Sequence, residues 1–568
     1  MSVPAYAQAL AALQANRVDI AEQRLREAIS QDPRDPRAHY LAGSLALSHG
    51  RNEEAEARFR EAVRLFPGTE TRAQAAAWVG LGRARLEQGA TTEALSYFER
   101  SVESSPGYPP AHTSRAALLC DLGEYVAAES DARRALQGGE DARTRLILAR
   151  ALLYQSRLEE ARPILEELAS HPEVHFFARY QLAACMAAQG QAREAEKEFR
   201  VLLSEQPAYP AYLELARTKR FREDSDQDLK RMEAVLDGLP ESSPGQSNDT
   251  LRTDLCYALA KAYDDLDDAE PAWRFLVRAN RLRAAANPFD FDAFEKQVDK
   301  ILVLGRQLAD RPPDDGLWQH AAPLAIAFLP RSGSSLLEQM LAGHPAVSAG
   351  GEYSPFIPPL YDVVERSGEG AVFIPALEEA RRRIAQSLAG LDPGIRWVTD
   401  KSPRVYLYAG LLGAAAPEAR FIYLRRHPMD IAFSEFSQAF GRDLGWASDL
   451  ELIARYHALS ERVMSTWREC LGNRLLEVSY EALVHQPEEE LTRILNFCGL
   501  DYDPACLGFH ESSRAVWTAS NLQVRERLNA RHIGRWRKYK AHMQDLLDMM
   551  GDIVPRYEAQ LRERGIPF

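Results

Sequence analysis

The sequence predicts a two-part fold class. An all-α solenoid forms the N-terminal part, and an α/β domain with a mostly parallel sheet forms the C-terminal part. Three observations predict it. A helical pattern recurs about every 34 residues through the first 210 or so positions. From residue 323, short apolar runs alternate with helical patterns. The length, 568 residues, exceeds a single domain at roughly 150 residues per domain.

The repeat is read by aligning Asn16, Gly50, Gly89, Gly123, Ser156 and Gly190, which stand 34, 39, 34, 33 and 34 residues apart. Five residues after each stands Ala21, Ala55, Ala94, Ala128, Ala161 or Ala195. Four further on comes Leu25, Phe59, Phe98, Ala132, Leu165 or Phe199, and three beyond that Ala28, Ala62, Ser101, Ala135, Leu168 or Leu202. The first residue ends a helix in a backbone conformation that glycine favours. The alanine lets a second helix lie close to the first, and the next two positions share one face of it. Pro33, Pro67, Pro106, Pro172 and Pro207 close most units, because proline stops a helix. The five extra residues near Gly68–Ala73 are expected to lengthen one inter-repeat turn.

This pattern resembles the tetratricopeptide repeat. The resemblance implies about six repeats over residues 1–212, stacked into a superhelix. Its concave face would hold a peptide or protein partner, or else the array would serve only as a scaffold. Residues 213–320 read as a helical connector. Its charge-dense and turn-rich stretches are followed by a degenerate repeat or capping pair, in which Asp267, Ala272, Leu276 and Ala279 keep the 5, 4, 3 spacing. Residues 321–568 form the α/β domain.

The chain carries 69 Lys+Arg against 82 Asp+Glu, a net charge of −13, which argues against a general nucleic-acid binder. Residues 321–568 hold 28 Lys+Arg against 31 Asp+Glu. Most of the acidity therefore belongs to the preceding part, and a local anion site in the α/β domain remains open. Six cysteines without CxxC or Cys/His spacing suggest neither a disulfide framework nor a zinc site. No signal-peptide pattern and no run of about 18 apolar residues is seen. The expectation is a cytoplasmic protein without a membrane span.

In the α/β part, PLAIAFL, RWVTDKSP, ARFIYLRRHP and NRLLEVSYE each read as a strand running into a polar loop. Parallel sheets bind ligands at the carboxyl ends of their strands, where the polar residues cluster. The first cluster is Arg331-Ser332-Gly333-Ser334-Ser335, between strand and helix. Small residues there let backbone N–H groups converge on an anion, two serine hydroxyls add donors, and Arg331 adds a planar cation. A capped helix start is the plainer alternative. The glycine and lysine of GxxxxGK[ST] are missing, which argues against nucleoside-triphosphate hydrolysis.

The segment PRSGSSLLEQMLAGHPAVSAGGE resembles the 5′-phosphosulfate loop of sulfotransferases, particularly the tyrosylprotein sulfotransferases. It also resembles bacterial proteins that fuse tetratricopeptide repeats to such a domain. The resemblance implies a P-loop-like sulfotransferase domain that uses 3′-phosphoadenosine 5′-phosphosulfate and no metal. Its acceptor would be a hydroxyl: a peptide tyrosine, or alternatively a carbohydrate or small molecule. A non-catalytic repeat scaffold is the rival reading.

By the same resemblance Glu352 is the catalytic base, a group that sulfuryl transfer to a hydroxyl needs. Read locally, it is equally a surface glutamate. Arg426 and Ser434, eight residues apart, would hold the 3′-phosphate; Arg425 lacks that spacing. Lys401 would sit near the transferred group and neutralise charge on the leaving phosphate oxygen. Tyr480 would contact the nucleotide, although a core aromatic fits as well. Ser520, Gln523, Val524, Arg535 and Trp536 match a segment that closes over the nucleotide, with Ser520 assisting the transition state. Read without the resemblance, that stretch is a basic surface helix.

Overall fold

The computed structural model describes residues 4–155, 157–206, 211–240, 248–309, 321–352, 355–368, 371–511 and 526–568. The chain divides into two compact units, Met1–Leu182 and Ala183–Phe568. Among the described residues, no helix is long and apolar enough to cross a membrane.

The first unit is all-α and built of antiparallel pairs. Ala5–Gln14 pairs with Val18–Gln31, Pro36–Ser48 with Asn52–Leu65, and Thr71–Glu87 with Thr91–Ser104. Pro109–Asp121 then pairs with Tyr125–Leu136, and Ala142–Tyr154 with Leu158–Leu168. The turn residues behave as their chemistry requires. Asn16, Gly50, Gly89 and Gly123 have φ of 53°, 70°, 80° and 81°, the left-handed region that ends a helix tightly. The alanines five residues on are wholly buried, and so is the next ring of residues, Leu25, Phe59, Phe98, Ala132 and Leu165. Each second helix that has a closing proline stops within a few residues before it.

The extra residues near position 70 are placed differently from the expectation. The turn between Leu65 and Thr71 is of ordinary length, but helix Thr71–Glu87 has 17 residues where Pro36–Ser48 has 13. The alanine-rich start TRAQAAA favours helix over turn, so the insertion adds about one helical turn.

The second unit begins with further helices, among them Ala192–Glu205, Tyr212–Thr218, Gln227–Gly238, Asn248–Asp265, Ala269–Ala286 and Phe291–Leu308. Asn248–Asp265 and Ala269–Ala286 form a pair whose turn residue, Asp267, has φ 65°. Ala272, Leu276 and Ala279 are buried in it.

The sheet follows: β1 (Ala322–Phe328), β2 (Val347–Ala349), β3 (Trp397–Asp400), β4 (Arg420–Arg425) and β5 (Leu475–Ser479). Among the described residues, the pairings within this sheet are all parallel, in the order β2-β3-β1-β4-β5. β1 is buried at all seven positions, as a central parallel strand covered on both faces must be. Four of the five strands coincide with the apolar runs of the sequence. β2 does not, since three residues are too few to carry a pattern. The chain leaves β1 toward the β3 side and later returns to add β4 on the other side. The loops after β1 and β4 therefore diverge at a topological switch point, where such sheets bind ligands.

Candidate functional site

Two groups of side chains meet at the carboxyl ends of the strands. The first surrounds the loop between β1 and helix Ser334–Leu341. Arg331 has φ 74° and Gly333 φ 101°, so one non-glycine residue adopts a conformation that is uncommon outside turns and functional sites. At Gly333 a side chain is excluded twice, because a Cβ would also lie 2.5 Å from the Tyr480 ring. Ser332 is buried, and its Oγ has no hydrogen-bond partner among the described residues. Ser334 and Ser335 begin the helix and are also buried.

Three strand ends are tied together here. Arg331 Nε donates to Ser434 Oγ at 2.9 Å. Arg426 Nη1 donates to the Arg331 carbonyl at 3.1 Å, and Arg426 Nη2 to the His532 carbonyl. The Arg426 guanidinium lies 4.6 Å from the centre of the Tyr480 ring, a cation–π distance. Arg331, Gly333, Ser335, Arg426, Tyr480 and His532 line one cleft.

The cleft is strongly positive. Burial, followed by repulsion from Arg426, pushes Arg331 down to about 10. Burial and then Arg531, Arg426 and Arg331 push His532 down to about 4. Cations held together against their repulsion form a ready anion site. Among the described residues, the nearest carboxylate to Arg426 is Asp430, at 4.0 Å. It already accepts the backbone N–H of Gly534 at 2.7 Å and of Trp536 at 3.0 Å.

The second group surrounds the turn after β2. Gly350 is forced, because a Cβ there would lie 2.2 Å from the Thr399 carbonyl oxygen. Gly351 has φ 75°. Glu352 follows, with its side chain 28% exposed, and accepts from Lys401 Nζ at 3.0 Å. The Lys401 backbone N–H donates to the Gly351 carbonyl at 2.9 Å. The backbone bond and the ion pair together fix Lys401 against the residues on both sides of the Gly351–Glu352 peptide.

Beneath them lies Glu338, buried within helix Ser334–Leu341. Its Oε1 accepts from Gly351 N at 2.9 Å and from Thr399 Oγ1 at 2.7 Å. Thr399 Oγ1 in turn accepts from Gly350 N at 3.1 Å. Glu338 Oε2 is 3.9 Å from Lys401 Nζ.

The structure thus brings Arg331, Ser332, Gly333, Ser334, Ser335, Arg426, Ser434 and Tyr480 together, with Glu352 and Lys401 at the neighbouring strand ends. Arg425 turns away, toward Glu461 and Glu477. Arg535 does not line the cleft. It pairs with Asp264 of helix Asn248–Asp265, which also accepts from Tyr539 at 2.6 Å and Lys538 at 3.3 Å. Trp536 does not line the cleft either; it is buried and stacked 5.7 Å from His427. Ser520, Gln523 and Val524 lie outside the described residues.

Sequence reasoning missed Glu338, Thr399, His532 and Asp264. Only Glu338 left a signal, as a lone charge in the otherwise uncharged helix SSLLEQML.

Known proteins resemble both parts of the chain. Residues 323–504 match the sulfotransferase family. Residues 6–70, 69–109 and 146–212 match the tetratricopeptide repeat. An uncharacterized protein of Aquifex aeolicus (strain VF5) is 24% identical over 96% of this chain and 73% of its own length. A putative protein-tyrosine sulfotransferase of Caenorhabditis briggsae is 25% identical over 40% of this chain and 85% of its own length. The solved sulfotransferase domain of the Synechococcus PCC 7002 olefin synthase is 24% identical, covering 42% of this chain and 98% of that domain, with a TM-score of 0.28. The chain carries N-terminal tetratricopeptide repeats followed by a C-terminal domain of the sulfotransferase family.

Proposed function

We propose that this chain moves a sulfuryl group from 3′-phosphoadenosine 5′-phosphosulfate to an acceptor hydroxyl, with a tyrosine of a peptide or protein as the acceptor. The observation that carries the reading is the 3.0 Å pair of Lys401 and Glu352, set beside the cationic cleft of Arg331 and Arg426. When bound, the donor supplies a sulfuryl group whose bond to the 5′-phosphate oxygen breaks as the bond to the acceptor oxygen forms, releasing 3′,5′-ADP.

The chain's own residues do the rest. Glu352 takes the hydroxyl proton. Lys401 faces the developing charge on the departing phosphate oxygen, and Arg331 with the loop N–H groups steadies the oxygens around the sulfur. Arg426 and Ser434 hold the 3′-phosphate, and Tyr480 flanks the nucleotide beside Arg426. The tyrosine acceptor is supported by the likeness to protein-tyrosine sulfotransferases and by a repeat array of the kind that holds polypeptides.

Calorimetric titration with 3′,5′-ADP and with ATP tests the nucleotide class. The reading expects 3′,5′-ADP to bind and ATP to bind far more weakly. Tight ATP binding without 3′,5′-ADP binding would overturn it.

A further inference from the structure

Lys401 lies between two carboxylates. Glu352, on the turn after β2, is 3.0 Å from its Nζ, and Glu338, on the helix below, is 3.9 Å away. Glu338 is 2% exposed, and a carboxylate so placed is rarely kept without a task. Its other oxygen takes the N–H of Gly351 directly and the N–H of Gly350 through the Thr399 hydroxyl. One buried side chain therefore holds both glycines of the turn that carries Glu352 and also faces the ammonium that pairs with Glu352.

We propose that Glu338 is a positioning residue for the transfer site: it fixes the Gly350–Gly351 turn and shares the charge of Lys401 with Glu352. The proposal rests on the roles given above to Glu352 and Lys401. Its consequence is electrostatic as well as geometric. A base paired with an undivided ammonium is a weaker proton acceptor. A second carboxylate on the same ammonium offsets that effect and also favours the protonated lysine.

Among the described residues, the charged groups near this pair include Asp400, next to Lys401 in the chain, and Arg331 from the loop after β1, which in turn feels Arg426. Asp400 Oδ1 accepts from Ser402 N at 2.8 Å. Arg331 is close enough to Glu352 to feel its charge, but the stronger influence on it is Arg426. Glu338 alone among these groups bonds to the glycine turn and faces the ammonium.

The test compares Glu338→Gln with Thr399→Val. Glutamine keeps an acceptor oxygen for Gly351 N and Thr399 but removes the charge. Valine removes the hydroxyl link and keeps the charge. In E338Q both limbs of the pH–activity profile should move to lower pH, because the lost negative charge no longer favours the protonated forms. Turnover should fall about tenfold, with KM for the donor little changed. T399V should lose stability and turnover while its limbs stay in place.

A second readout does not depend on turnover. The titration of Lys401, followed by NMR after 13C-methylation of the lysines and assigned with Lys401→Arg, should move to lower pH in E338Q and not in T399V. Unmoved limbs and an unmoved Lys401 titration in folded E338Q would reduce Glu338 to a structural role and overturn the proposal. An inactive wild type with a moved Lys401 titration would sustain the positioning role while overturning the sulfuryl-transfer reading beneath it.

Discussion

Lys401 donates to Glu352 across 3.0 Å and, through its backbone N–H, to the Gly351 carbonyl at 2.9 Å. The loop after β3 and the turn after β2 are thereby locked to each other at the point where the proposed reaction takes the acceptor's proton. Lys401→Met should lower kcat about 10²–10³-fold, as removal of a preorganised donor does, with a smaller change in KM for the donor. Steady-state kinetics at saturating acceptor check this. An unchanged kcat would remove Lys401 from the reaction.

Arg426 and Arg535, both expected at the nucleotide, should behave differently. Arg426 lines the cleft, and its loss should cost about 2 kcal/mol of 3′,5′-ADP affinity, roughly 30-fold, as for a charge-assisted hydrogen bond. Arg535 is engaged by Asp264, and its side chain is 36% exposed. Arg535→Ala and Asp264→Asn should therefore each lower stability modestly, by about 1–2 kcal/mol, and weaken the nucleotide much less than Arg426→Ala does. Thermal unfolding and calorimetry on the same three variants separate the effects.

Gly350 tests the turn itself. A methyl group there would meet the Thr399 carbonyl oxygen at 2.2 Å, and backbone cannot move aside as a flexible side chain does. Gly350→Ala should destabilise the second unit by about 1–3 kcal/mol and displace Glu352. Denaturant unfolding checks the first effect, and the ratio of kcat to that of the wild type checks the second.

His532 gives the cleft a pH signature. Burial and the surrounding arginines hold it down to about 4 in the folded chain, against an ordinary 6.5. Below pH 6.5 the unfolded chain gains a proton that the folded chain refuses. The folded state should therefore lose stability as pH falls from about 6.5 toward 4. His532→Gln should flatten that loss. An anion seated among Arg331 and Arg426 offsets their charge and makes protonation of His532 easier, so 3′,5′-ADP binding should take up protons in this range. Calorimetry in buffers of differing ionisation enthalpy measures the uptake, and none between pH 4 and 6 would contradict it.

What was legible in the sequence was what depends on short spacings. The alanine and glycine positions of the repeat and the buried run of β1 follow from local period, and the choice of Arg426 over Arg425 comes from the family resemblance rather than from any local pattern. What was not legible depends on partners far away in the chain. Arg535 meets Asp264 across 271 positions, and no local pattern announces that an acidic helix end will take three donors from the basic segment. Glu338 reaches Thr399 across 61 positions, and only the fold reveals that the two hold the Gly350–Gly351 turn. β2 escaped because its pairing with β3, rather than its three residues, makes it a strand.

The most direct test of the central claim follows the label. The chain is incubated with 35S-labelled 3′-phosphoadenosine 5′-phosphosulfate and tyrosine-containing peptides, alongside Glu352→Gln. The account predicts label on the tyrosine oxygen with the wild type, and turnover lower by about 10²–10⁴-fold in the variant while 3′,5′-ADP still binds it. Wild-type turnover in Glu352→Gln, or no transfer to any hydroxyl by a wild type that binds 3′,5′-ADP, would contradict it.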